Sequence, residues 1–113
     1  MAQPDNALAL AGPPALALYK KLLAALKPLG KFEEEVKKTS IHLVRKTAFA
    51  GVAPRKEYLL LTIKSDKLIR SVRIKKSEQT SKSRWHVEVK LESASDIDKE
   101  LLGWLRSAYA LSE

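Results

Sequence analysis

From Arg84 to Leu91 the chain alternates without a break: Trp85, Val87, Val89 and Leu91 take one parity, Arg84, His86, Glu88 and Lys90 the other. A period of two with that contrast marks a strand with one face on a core and one in solvent. Such a strand belongs in an antiparallel sheet whose apolar side is covered by something else in the chain. The remaining sequence therefore has to supply partner strands and an apolar cover.

Partner strands are legible upstream. Tyr58 to Lys64 puts Leu59, Leu61 and Ile63 on one face, and the additional apolar Leu60 predicts a central position in the sheet. From Thr39 onward Ile41 and Leu43 share one parity with Arg45, against His42 and Val44. Ile69 to Lys76 predicts a strand with Val72 and Ile74 inward and Ser71, Arg73 and Lys75 outward, followed by a polar, mobile hairpin tip over residues 77–83. The run from Thr47 to Val52, ended by Pro54, reads equally as a short strand or an extended connection.

Helical spacing frames these strands. Pro13 and Pro14 suit a first helical turn, where no backbone N–H is needed, and Leu16, Tyr19, Leu22, Leu23 and Leu26 follow as a stripe that Pro28 and Gly30 bring to an end near Lys27. Residues 32–38 read as a short extra turn, with Glu33, Glu34 and Glu35 as its solvated face. At the other end Ser95, with Asp98 three residues on, resembles a capping box ahead of a stripe of Ile97, Leu101, Trp104, Leu105 and Ala108. Gly103 inside that helix costs about 1 kcal/mol relative to alanine, which predicts a close approach of helix to sheet as its compensation. The expected fold is α+β in two layers: an antiparallel sheet of four to five strands with an N-terminal and a C-terminal helix, in the order α-β-β-β-β-α. A flexible segment over residues 1–12 and one domain over 13–113 account for the 113 residues.

Chemistry is restricted by what is missing. With no cysteine, disulfides, thiolate metal sites and a thiol nucleophile are excluded. The apolar stretch Ala7 to Leu18 lacks a basic leader and is broken by Gly12, Pro13 and Pro14, so it does not read as a signal peptide. No stretch approaches the roughly 20 apolar residues of a membrane-spanning helix. A soluble, cytoplasmic protein is expected. The four glycines are isolated and form no phosphate-binding loop. His42 and His86 have no second ligand at metal spacing, and no G-x-S-x-G turn is present. The expectation is a domain that is not an enzyme and holds no cofactor or metal.

Charge is the positive signal. The net charge is +8, and between Val36 and Leu91 there are 15 Lys or Arg against 4 Asp or Glu, an excess of 11. By strand parity Lys64, Arg73, Lys75, Arg84, His86 and Lys90 share the exposed face, and Lys46, Arg55 and Lys56 extend its field from the loops. Such a surface suits phosphates, with His86 or Tyr58 placed to stack on a base. It equally suits a soluble domain protecting its strand edges.

One resemblance covers nearly the whole chain, from about Leu16 to Tyr109. The segment from Lys38 to Leu59 with its F-A-x-V-x-P-R-K core (Phe49 to Lys56), the W-H-V-E-V-K-L strand from Trp85, and the W-L-R-x-A-Y ending from Trp104 to Tyr109 are similar to a small bacterial family, domain of unknown function 5655. The resemblance implies a compact α+β domain and offers no catalytic residues to carry over. Some longer relatives are labelled predicted transport proteins, and related domains occur beside nucleic-acid-handling modules; neither association implies a reaction. The expected function is a basic binding module whose partner is a polyanion, nucleic acid or an acidic protein segment. The alternative is a protein-interaction or small-ligand domain without a nucleic-acid role. Either is expected as a monomer or weak homodimer.

Overall fold

The computed structural model describes residues 6–113. Helix α1 (Pro13–Leu26) continues into a 3-10 turn at Lys27–Leu29 and is followed by six strands, β1 (Glu33–Val36), β2 (Ile41–Val44), β3 (Ala48–Pro54), β4 (Leu59–Ser65), β5 (Ile74–Ser81) and β6 (Arg84–Leu91), then helix α2 (Lys99–Ala110). The strands form one sheet in the order β1-β2-β3-β4-β6-β5, every neighbouring pair antiparallel. The α+β class, the antiparallel sheet and the helices at both ends match the expectation; the strand count does not, being six.

The extra strand is β1, expected as a turn. Its four side chains are all exposed, so it is held by backbone pairing to β2 and carries no apolar alternation that a sequence could display. A second shift concerns β5. The strand begins at Ile74 and includes most of the residues expected to be a mobile tip, leaving only residues 82–83 to turn. Val72, expected inward, is 97% exposed. Because β5 pairs only with β6 and its residues beyond Ile74 are all exposed, a polar sequence serves it.

With β1–β2 and β3–β4 turns at one end of the sheet (here the upper end), the β2–β3 and β5–β6 turns lie at the lower end. Residues 66–73 cross from the lower end of β4 to the upper part of β5, passing β6, which is inserted between them. Both helices lie on one side of the sheet. Ala15, Leu18, Tyr19, Leu22 and Leu26 of α1 and Leu101, Leu105, Ala108 and Tyr109 of α2 share one core with Ile41, Leu43, Val52, Leu59, Leu61, Ile63, Val87, Val89 and Leu91. At about 25 cal/mol per Å2 of apolar surface removed from water, each such aliphatic side chain contributes on the order of 2 kcal/mol. Ala7 is also fully buried, in a 3-10 turn at Ala7–Leu10, its N–H donating to the Lys37 carbonyl at 2.9 Å. The remainder of the lead-in expected over residues 1–12 falls partly outside the described residues.

Helix α2 is capped differently from the expectation. Asp98 is its N-cap, accepting from the Leu101 N–H at 3.0 Å. Asp96 belongs to the preceding 3-10 turn, where its carboxylate accepts from the N–H groups of Glu92 (2.8 Å) and Ser93 (3.1 Å). Gly103 faces solvent, and a Cβ built there meets no atom within 4 Å. The expected close approach to the sheet is absent, so the glycine carries its helical cost uncompensated. Gly103→Ala is expected to stabilise the domain by about 0.5–1 kcal/mol, read as a raised urea midpoint at unchanged m-value.

A polar link joins α1 to the edge strand. The Tyr19 hydroxyl donates to Glu34 Oε1 at 2.5 Å. Burial first, then the Glu34 bond and charge, push the phenol well above its ordinary value of 10.0. A raised pKa stabilises the fold below the unfolded value and loses that contribution as pH climbs past it, because the unfolded tyrosine ionises and the folded one does not. Urea titrations between roughly pH 10 and 11.5 should show stability falling, and Tyr19→Phe should flatten that limb.

Candidate functional site

The face of the sheet opposite the helices is uncovered. Register fixes what lies on it: one row runs Glu35, His42, Gly51, Thr62, Glu88, Lys76, and the next row toward the lower end contains Lys64, His86 and Glu78. Between the walls of these rows lies a groove of about 270 Å3 lined chiefly by His42, Ala48, Gly51, Ala53, Thr62, Lys64 and His86.

Small residues on β3 open this groove. Gly51 sits mid-strand without a positive φ, and a Cβ there meets only His42 Cδ2 at 3.9 Å, an ordinary contact. Neither backbone nor packing requires glycine, which costs a strand roughly 0.5–1 kcal/mol. What its absent side chain provides is access to the backbone between His42 and Thr62. The side chains of His42, Thr62 and His86 make no hydrogen bond to another described residue, so their donors and acceptors face the groove or solvent.

At the lower rim two cations share the face: Lys64 pairs with His86 across β4 and β6, and Arg84 stands two residues before His86 on the same side of β6. Lys64 Nζ donates to Thr47 Oγ1 at 3.0 Å and to Ser112 Oγ at 2.9 Å, which ties β4 to the β2–β3 turn and the C-terminal residues. Burial and, second, the charge of Arg84 lower the Lys64 pKa from its ordinary 10.5. Arg84 itself donates to the neighbouring Ser83 carbonyl at 2.9 Å. Neither cation has a carboxylate partner among the described residues. Lys46, in the β2–β3 turn, adds a third exposed charge at this end.

The nine residues expected to make one basic surface are divided. Arg55 and Lys56 lie in the β3–β4 turn at the upper end, separated from Lys46 by the seven residues of β3, about 20 Å of strand. Lys90, near the upper end, has its ammonium 4.3 Å from the Tyr58 ring centroid and 3.7 Å from Glu92. Lys75 is exposed at the irregular start of β5. Lys46, Lys64, Arg84 and His86 come together at the lower end.

Arg73 is not on the bare face. It sits at the end of the crossing segment and donates to Asp98 Oδ1 (2.9 Å) and Oδ2 (3.1 Å), Glu100 Oε1 (3.1 Å) and the Asp96 carbonyl (2.6 Å), with its guanidinium 5.7 Å from the Trp104 ring centroid. Its charge is consumed at the N-terminus of α2. The parity argument failed here because Arg73 precedes the strand and obeys no pleat. Conversely, sequence reasoning passed over Gly51, whose signal was a glycine in an apolar run with no turn residue beside it. No group of three or more His, Asp or Glu residues is placed to hold a metal among the described residues.

Six antiparallel strands with both helices on one side and a grooved, uncovered face on the other define a two-layer α+β sheet domain. Within that class the chain belongs to the family described as Domain of unknown function (DUF5655), whose model matches residues 8–112. No curated protein and no solved structure matches the chain. Among the described residues no helix is long and apolar enough to cross a membrane.

Proposed function

We propose that the domain is a binding module that engages nucleic acid as a polyanion through the lower half of its uncovered sheet face. The observation that carries this reading is the gathering of Lys64 and Arg84 beside Lys46 and His86: like charges at one end of the sheet, Lys64 and Arg84 without carboxylate partners among the described residues, on a face no helix covers. Holding such cations together is unfavourable in the free protein, and an anion between them relieves the repulsion. Glu78, paired with His86 in the same row, and Glu88, paired with Thr62, put carboxylates on the β5 side of this cluster and leave the β2–β4 side of the rim to an anion.

The test is fluorescence anisotropy of labelled nucleic acid across salt. If about three phosphates are neutralised, affinity for a single strand falls roughly twentyfold between 50 and 200 mM salt. Lys46→Gln with Arg84→Gln should weaken binding about tenfold, and Arg55→Gln with Lys56→Gln much less. Binding that ignores salt, or that poly-glutamate matches at equal charge, would overturn the assignment to nucleic acid. A second reading, small-ligand or protein binding, is favoured by a cleft of about 700 Å3 between the crossing segment and α2, where Leu68 is 41% exposed beside Trp104.

A further inference from the structure

The groove and the cation pair lie side by side, and together they specify more than a charge. The groove's volume of about 270 Å3 lies just below the range for ligand pockets, enough for one planar ring and too little for a larger body. Its floor is backbone and small side chains, Gly51, Ala48 and Ala53, a flat apolar surface on which a ring lies face down. Its walls are polar. Neighbouring strands are about 4.8 Å apart, so His42 and Thr62, separated by the bare Gly51 position, stand roughly two strand spacings from one another. Their unbonded side chains, with that of His86, supply the donors and acceptors that read the edge of a heteroaromatic ring.

We propose that this groove takes one unstacked base of a single-stranded nucleic acid, with the adjoining phosphate between Lys64 and Arg84. The inference rests on the polyanion reading above and deepens it. Charge complementarity selects the occupant: the ring sits on a neutral floor, its phosphate meets Lys64 and Arg84, which have no carboxylate partner among the described residues, at the lower rim, and Glu78 beside His86, with Glu88 beside Thr62, turns an anion away from the β5 side. A duplex keeps its bases paired and stacked, offers only phosphates, and cannot fill the groove.

Anisotropy titrations of the full chain with a labelled single strand of about 12 nucleotides, and with the duplex of the same sequence, test this. Wild-type protein is expected to bind the single strand about tenfold more tightly than the duplex, the worth of one or two hydrogen bonds to the ring edge with the burial of its face. Gly51→Val, which fills the groove with a side chain that favours strands, should remove that preference while leaving duplex binding unchanged. Thr62→Val, equal in size and lacking the hydroxyl, should reduce single-strand affinity several-fold in a protein with an unaltered circular dichroism spectrum. Equal binding of both nucleic acids by wild type, or a preference that survives both substitutions, overturns the base site and leaves the polyanion reading standing. Absence of binding to either probe overturns both. Displacement of the strand by a nucleoside monophosphate at concentrations comparable to the unlabelled strand overturns the strand as occupant in favour of a free nucleotide.

Discussion

Phe49→Ala is expected to cost about 3–5 kcal/mol, among the largest losses from truncating a single side chain in this domain. Phe49 is fully buried and sits edge-on between two other rings, with centroids 5.8 Å from Phe32 and 5.3 Å from Tyr109. Removing it leaves a void bounded by elements that cannot all move inward: the β2–β3 pair, the segment ahead of β1 and the last turn of α2. Two edge-to-face contacts, each worth about 0.5–1.5 kcal/mol beyond area, disappear with it. Against a total stability of about 5–15 kcal/mol, such a loss removes roughly a fifth or more of what holds the domain folded. Urea unfolding followed by tryptophan fluorescence measures it, and a midpoint within error of wild type would show that the ring cluster is not the centre of the core.

The second large effect is expected at Gly30. Its φ of 134° and ψ of −165° lie in a region open essentially to glycine, and a Cβ there would come within 2.5 Å of the Tyr109 hydroxyl. That hydroxyl donates to the Lys31 carbonyl at 2.8 Å, and the Tyr109 ring also carries the Arg45 guanidinium 4.2 Å from its centroid. Gly30→Ala therefore combines backbone strain of about 1–3 kcal/mol with loss of a hydrogen bond worth about 1 kcal/mol, a total near 3 kcal/mol. The two contributions separate in a double-mutant cycle. In a Tyr109→Phe background the hydroxyl is gone with its clash and its hydrogen bond, leaving ring carbon Cζ at 3.2 Å as the nearest atom, so Gly30→Ala should cost about 1 kcal/mol less there. Strict additivity would show that the methyl group never reaches the ring.

These two residues also mark where sequence reading stopped. The strands that could be read, β2, β4 and β6, are those whose inner residues meet the helices, because only a face on a core writes a period of two into the chain. Around Phe49 the same logic gives the wrong signal. Val44 pairs with Ala48 and Leu43 with Ala50, so Phe49 is the extra residue of a bulge, and Phe49 and Ala50 are both buried. Two consecutive buried positions break the alternation, which left the run from Thr47 to Val52 undecided. The edge strand β1 escaped for the opposite reason, having nothing buried to alternate, and β5, with only Ile74 partly buried, was expected five residues too early. The bare face was legible in outline, since Lys64, Arg84, His86 and Lys90 carry outward parity. Its division into two basic ends was not, because parity assigns a side of the sheet and says nothing of position along it. The groove depends on Gly51 lying between His42 and Thr62, a relation of register across three strands.

The strand order has one further consequence, for the time course of folding. Strands β1 to β4 follow one another as a meander, and β5 and β6 form a hairpin, so each piece assembles from neighbours in sequence. They meet only along the pairing of β4 with β6, seven residue pairs from Leu59 with Leu91 to Ser65 with Trp85. Joining them requires the chain to close a loop that contains the crossing segment and the whole of β5, and such non-local closure is the slow event in sheets. Substitutions at Leu61, Ile63, Val87 and Val89, buried near the middle of that seam, are therefore expected to slow folding, and those at the outer edges of the sheet mainly to speed unfolding.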